Sequence, residues 1–411
     1  MKFHWFHLMP WPYLPDDFQQ KHRSVWVDVD YSLFDEEKAN HVYHEYLDEL
    51  EFAEKVGFDG ICVNEHHQNA YGFMPSPNLM AAALARRTER AALVVLGNTL
   101  ALYPVPTRVA EEFAMLDCIS GGRLVAGFPV GTSMDVNYCY GIVPSETRPR
   151  FYEAHDLIVQ AWTRPGPFPF SGRFFQLRYV NPWPRPIQTP HPPIWLAGGG
   201  SVETWEFAGR NNYAYNYLSY FGFRAGRTLM EGFWETMARM GVDDNPYRAG
   251  FLQLVCVAET DARAEREYLP HVQYFYKKCL HIPSYLSSAP GYQTRRSVEF
   301  GIRAGLRGAR AAEMDYSWKS FVENGHIVAG SPATVRDRLL EAARSLRLGH
   351  IMVLLHIGSM PHDLTEKNIT LFAHDVMPAL QRLWDEDGYL DRWWPRAVGR
   401  DPARAAVPAG R

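Results

Sequence analysis

No stretch of this 411-residue chain reads as a membrane span. The longest apolar run, around residues 91–105, is interrupted by Gly97, Asn98, Thr99 and Pro104 and falls short of the roughly 20 residues a spanning helix needs. An excess of one charge sign is missing too. The 42 Lys and Arg stand against 46 Asp and Glu, a formal net charge of -4 spread along the chain, which leaves no electrostatic footprint for nucleic acid or an anionic membrane. Cysteine is scarce: Cys62, Cys118, Cys139, Cys256 and Cys279 are odd in number, far apart and without a C-x-x-C pair, against a disulfide framework or zinc site and in keeping with a reducing cytoplasm. The opening MKFHWFHLMPWP lacks the charged start and apolar core of a signal peptide. No H-E-x-x-H is present, so no metal is expected; nor is G-x-x-x-x-G-K-[ST]. These absences leave a small-molecule partner.

What is present is a large apolar fraction, 46%, enough to bury a sizeable core. Residues 94–141 show how it is arranged. An apolar run breaks at Gly97-Asn98-Thr99; a Pro-bounded loop, a helical segment at 107–119, a Gly-Gly turn and a second apolar run at 123–128 follow. Parallel strands need a crossover of this kind. Similar apolar runs at 2–8, 59–64, 92–100, 193–197, 212–219, 251–258 and 350–356 complete eight strands alternating with helical periods. The fold class expected is an α/β (β/α)8 TIM barrel with its site at the carboxyl ends of the strands. One domain would cover 1–392, with lid-like insertions at about 165–190 and 281–324 and a frayed tail at 393–411.

Three of those strand ends carry chemistry. Glu65-His66-His67 follows the second strand, and a histidine there can move a proton near neutral pH, although loop caps and core hydrogen bonders read equally well. Gly198, Gly199, Gly200, Ser201 and Thr204 follow the fifth strand and open a helix. Helix-start amides with two hydroxyls one turn apart suit a phosphate; an ordinary N-cap and tight turn is the plain alternative. Glu203 stands where a Rossmann fingerprint needs its third glycine. Asn98-Thr99-Leu100 and Pro129-Val130-Gly131 end the third and fourth strands, where small or polar residues let a flat ring lie on backbone or simply pack the barrel mouth.

The joint occurrence of these motifs resembles the bacterial-luciferase-like family of flavin-dependent monooxygenases. The resemblance rests on N-E-H-H-x-x-x-Y-G at 64–72, G-N-T-L at 97–100, R-x-A-E-E-x-x-x-L-D-x-x-S-x-G-R at 108–123, P-P-I-W-L-A-G-G-G-S at 192–201, Thr204, and V-L-L-H-I-G at 353–358. It implies a two-component FMN-dependent monooxygenase. A separate flavin reductase would supply reduced FMN, and oxygen and a small organic substrate would meet in a flavin-peroxide reaction assisted by His66. The phosphate would lie at Gly199, Gly200, Ser201 and Thr204, the ring along Asn98, Thr99, Leu100, Val130 and Gly131, and the barrels would pair as a homodimer. It also implies a cis non-proline peptide at Thr99–Leu100 or one residue earlier. A deazaflavin-dependent oxidoreductase or a non-catalytic flavin-binding barrel on the same fold are the alternatives. The chain departs from the family at Val130, where an arginine would bind phosphate, so that charge must be balanced elsewhere. Asp117 and Arg123, near the opposite end of the barrel, are expected to be structural.

Overall fold

The computed structural model describes residues 1–131, 133–304 and 314–396. Its strands are β1 (Lys2–Phe6), β2 (Gly60–Val63), β3 (Ala92–Leu96), β4 (Leu124–Gly127), β5 (Phe168–Ser171), β6 (Gln176–Val180), β7 (Ile194–Gly198), β8 (Ala214–Tyr217), β9 (Ala249–Val257), β10 (Ile327–Gly330) and β11 (His350–Leu354). β1, β2, β3, β4, β7, β8, β9 and β11 pair in that order, all parallel, and β11 pairs back onto β1. The result is a closed eight-stranded barrel. The strands read as short apolar runs because both faces are covered: β3 and β11 are buried at every residue, the inner face by barrel neighbours and the outer by helices.

Each helix shows why it starts where it does. Asp35 caps Glu36–Lys55 by accepting from the Lys38 amide, and Ser76 caps Pro77–Arg87 through the Leu79 amide. Gly121 takes the left-handed conformation that ends Thr107–Ser120. Arg123 then ties this turn down. Its guanidinium donates to the carbonyls of Ser120, Ala91, Ala85 and Thr88 and to Thr88 Oγ1, while Asp117 accepts from the Gln188 amide at 3.0 Å and its side chain at 2.7 Å.

Several boundaries differ from the sequence expectation. The third strand ends at Leu96 rather than residue 100, because Leu100–Leu102 closes a 3-10 turn. No cis non-proline peptide occurs at Thr99 or Leu100; among the described residues the cis bonds precede Pro167, Pro184 and Pro190. The trans chain suffices there, since the Thr99 amide reaches Glu65 Oε2 at 2.7 Å and the Thr99 carbonyl accepts from Leu102. The 165–190 excursion is an antiparallel hairpin, β5 with β6. The stretch at 281–324 holds helices Ser284–Ser287, Arg295–Arg303 and Trp318–Glu323, and its residues 305–313 lie outside the described ones. β10 was not anticipated. It pairs with residues 254–257 of β9, past the 249–251 stretch that holds β8. Trp393, placed by the sequence in a frayed tail, is buried under the barrel: its indole donates to the Asn212 carbonyl and its own carbonyl accepts from Trp195. Residues 397–411 of that tail are outside the described residues.

Candidate active site

His66 lies just past β2, half-buried, with Nδ1 3.0 Å from Asp135 Oδ2. Asp135, 1% exposed, also accepts from Asn69 Nδ2 at 2.9 Å and from the His67 amide at 3.4 Å. Burial opposes its ionisation, but the charge and hydrogen bond of His66 outweigh this and hold its pKa below the usual carboxylate value. An ionised Asp135 fixes the imidazole tautomer with its proton on Nδ1 and leaves Nε2 free to take or give one. The Tyr71 ring stands edge-on to His66 at 4.6 Å and its hydroxyl joins that of Tyr220. His67 points elsewhere, 3.2 Å from Glu65 Oε1 and edge-on to Tyr140. Asp135 was not singled out in the sequence; only its place in the first turn of Met134–Tyr140 could have suggested a helix-start carboxylate.

The residues expected to flank a ring divide into two kinds. Asn98 is fully buried and its amide is spent: it pairs reciprocally with Asn78, at 3.1 and 2.8 Å, and accepts from Tyr103. Its side chain is therefore a structural clamp between β3 and the helix Pro77–Arg87. Gly97 lets the Glu65 loop approach, as a Cβ there would fall 2.9 Å from the Glu65 amide. Gly131, at φ 89°, packs so closely on Thr99 that a Cβ would lie 2.3 Å from its methyl. Thr99, Leu100 and Val130 are buried beside it. Any flat ligand here meets backbone and small groups rather than the Asn98 amide.

The other end of the site is built around a residue the sequence did not reveal. Arg148, 8% exposed on the helix Pro144–Thr163, sends Nη2 to Ser201 Oγ at 3.0 Å and Nη1 to Thr204 Oγ1 at 3.1 Å. Among the described residues it makes no ion pair with a carboxylate; Nη2 also reaches the Tyr292 hydroxyl at 3.4 Å, so a buried cation faces three hydroxyls. A signal existed. Arg148 shares one helical face with Phe151, His155, Ile158 and Trp162, all buried, and a guanidinium on an apolar stripe needs a partner. The two ends meet through Thr147, whose hydroxyl lies 3.0 Å from Asn137 Oδ1 on the Asp135 helix.

The helix-start amides are less free than the glycine run suggests. Thr204 and Trp205 both donate to the Ser201 carbonyl, and the Val202 amide donates to Ser297 Oγ at 3.2 Å. Ser201 Oγ donates to Glu203 Oε2, and Thr294 and Ser297 hydroxyls donate to the same carboxylate. Burial disfavours the charge on Glu203, yet these hydroxyls hold its pKa down at about 2. Gly199 is exposed and a Cβ there would meet nothing, whereas Gly200, at φ 96°, lies against Leu229.

A second polar cluster, also missed, joins β1 to β11. Glu49, fully buried, accepts from His7 Nε2 at 2.9 Å, His356 Nδ1 at 3.1 Å and His362 Nδ1 at 3.1 Å. Burial pushes Glu49 toward the neutral acid, but the three histidines overcome it and hold the pKa far below the usual range. His7, Glu49 and His356 bring ligand atoms within 4.8 Å of one another, the spacing of a metal site. The tautomer argues otherwise. His7 Nδ1 accepts from the Met9 amide at 2.9 Å, so its proton sits on Nε2, and a metal there would require a second N–H facing the Met9 amide. The cluster is a hydrogen-bonded hub.

These positions can be set beside known proteins. The oxygenase component of flavin-dependent trigonelline monooxygenase from Acinetobacter baylyi is 31% identical over 190 residues, 46% of this chain and 51% of that protein. An F420-dependent glucose-6-phosphate dehydrogenase from Kineococcus radiotolerans is 32% identical over 164 residues, 38% of this chain and 47% of that one. The chain thus spans about half the length of these curated relatives. The barrel is similar to the oxygenating constituent of 3,6-diketocamphane monooxygenase from Pseudomonas putida, solved with FMN, with a TM-score of 0.67 at 19% identity, covering 92% of this chain and 98% of that one. Residues 27–348 match the model of the luciferase-like monooxygenases, and the chain belongs to that family.

Proposed function

We propose that the protein is the oxygenase of a two-component FMN-dependent monooxygenase, supplied with reduced FMN by a separate reductase and acting on a small organic substrate. The observation that carries this reading is Arg148. A buried guanidinium that, among the described residues, makes no ion pair with a carboxylate, 3.0 Å from Ser201 Oγ and 3.1 Å from Thr204 Oγ1, fits a phosphate monoester and supplies the charge that Val130 does not. With the phosphate there, the ring would run toward Gly131 and Thr99, where side chains are small enough for close approach.

Reduced FMN, when bound, would supply the two electrons that let one oxygen atom enter the substrate while the other leaves as water. The chain's own residues then have defined tasks. Asp135 holds the Nδ1 proton of His66, so Nε2 exchanges the proton that the departing oxygen needs. Tyr71 fixes the ring edge-on, and the helix Arg295–Arg303, whose Ser297 reaches Ser201 Oγ, stands ready to limit water at the phosphate end.

A second reading, hydride transfer with the deazaflavin F420, is supported by the match to the glucose-6-phosphate dehydrogenase. Anaerobic titration with reduced FMN and with reduced F420, followed by oxygen, separates the two. The monooxygenase reading expects reduced FMN to bind and oxygen to be consumed. Binding of F420 alone, with no reaction toward oxygen, would replace it.

A further inference from the structure

The anion end of the site is occupied by the protein itself. Of the donors at the start of the helix Val202–Asn211, the Val202 amide is taken by Ser297 Oγ at 3.2 Å, and Ser201 Oγ donates to the Glu203 carboxylate at 2.9 Å. Ser297 and Thr294 reach that carboxylate at 2.7 and 2.6 Å, and Ser297 Oγ lies 3.2 Å from Ser201 Oγ. Both come from the first turn of Arg295–Arg303 and its cap. The carboxylate and the Ser297 oxygen thus hold the positions that two oxygens of a phosphate would claim.

We propose that this segment is a built-in occupant of the phosphate subsite, so that docking of the Arg295–Arg303 helix and binding of a phosphate exclude each other. The proposal rests on the reading of Arg148, Ser201 and Thr204 given above. A phosphate accepting from Ser201 and Val202 would lie within a hydrogen-bond length or two of an ionised Glu203, and like charges at that range repel strongly in a buried setting. Glu203 must swing out, and with it go the two hydroxyl contacts that seat the helix. Arg296 to Glu206, in the same first turn, and Phe300 against Trp205, one turn on, do not involve Glu203, so the helix loses its two hydroxyl contacts to that carboxylate and stays tethered by these. An empty site is then covered, and a flavin carrying phosphate opens its own cover as it enters.

Hydrogen exchange of the full chain, alone and with FMN, riboflavin or inorganic phosphate, reads this directly. FMN and phosphate should speed exchange of the amides at 294–303, and riboflavin should not. Ser297→Ala should bind FMN more tightly by roughly two- to tenfold, the range that loss of one net competing hydrogen bond covers, with riboflavin unchanged. Thr294→Val should act in the same direction. If FMN binds in preference to riboflavin while exchange at 294–303 stays the same or slows, the exclusion is wrong and the phosphate subsite stands. If FMN and riboflavin bind equally, the phosphate subsite itself is wrong and the exclusion falls with it.

Discussion

Under the proposed function, Arg148 serves binding and His66 serves chemistry. Truncating Arg148 to Ala removes the buried cation proposed to meet the phosphate, and a hydrogen bond to a charged group is worth about 1.5–3 kcal/mol. FMN should therefore bind at least tenfold more weakly while riboflavin binding changes little; equal losses would take Arg148 out of the phosphate subsite. His66→Ala should keep flavin affinity and oxygen consumption but release hydrogen peroxide in place of oxygenated product, since a positioned proton donor commonly contributes roughly a hundred- to ten-thousand-fold in its step. Unchanged product yield per oxygen consumed would exclude the role. His66, Ser201 and Thr204 were nameable from the sequence as candidates because each belongs to a local motif at a strand end. Asp135 and Arg148 were not, because their partners are 69 and 53 to 56 residues away and only the fold brings them together.

At the scale of elements, the apolar runs located all eight barrel strands, because a strand buried on both faces has little choice of residue. β10, Ile327–Gly330, is no shorter than β2, β4 or β8; it escaped notice because eight strands already close a barrel and it lies outside that ring, paired with β9 alone. The end of β3 was misplaced for a different reason: residues 97–100 are as buried as a strand but are held by the side chain of Glu65 and by a turn, which hydrophobicity does not register. The turn between Thr107–Ser120 and β4 shows a motif kept for packing. Five hydrogen bonds from Arg123 satisfy backbone and Thr88 groups that have no access to water. Arg123→Ala should lower stability by about 3 kcal/mol or more, as several buried acceptors lose their donor. Turnover per folded molecule should stay near normal, measured by activity against the folded fraction from circular dichroism. Lost turnover in a fully folded variant would move this turn into the site.

For the molecule as a whole, the hub at Glu49 couples closure of the barrel between β1 and β11 to pH. Glu49 is held below its unfolded value of about 4.3, so its contribution is full above that pH and is lost as pH falls further. His7, lowered to about 4 by burial, is neutral in the fold, and stability declines as pH falls from about 6.5 toward that value. His362 is raised by its bond to Glu49, with Glu366 and Glu45 adding, so its share is present below about 6.5 and fades as pH rises through its folded value. Glu49→Gln should cost about 3 kcal/mol or more at pH 7 by leaving the histidines without their shared anion. The gap to the unaltered protein should narrow in thermal melts below about pH 4.3, where Glu49 loses its charge, and again as pH rises through the folded value of His362, whose share depends on Glu49. A gap that is flat from pH 3 to 8 would show that the charge of Glu49 contributes nothing.

Closure also decides where one chain could pair with another. Every barrel strand has a neighbour on both sides, so main-chain donors and acceptors in search of a partner are found, among the described strands, on the hairpin and on β10. Such edges template intermolecular sheets. The hairpin is guarded: Pro169 removes a donor from the middle of β5, the pairing shifts register between Phe168 and Phe170, and Arg178 stands exposed in β6. Replacing both guards, Pro169→Thr with Arg178→Thr, should leave the fold intact and raise concentration-dependent light scattering. Equal scattering at matched folded fraction would mean that the barrel, having hidden its own edges, leaves none that matters.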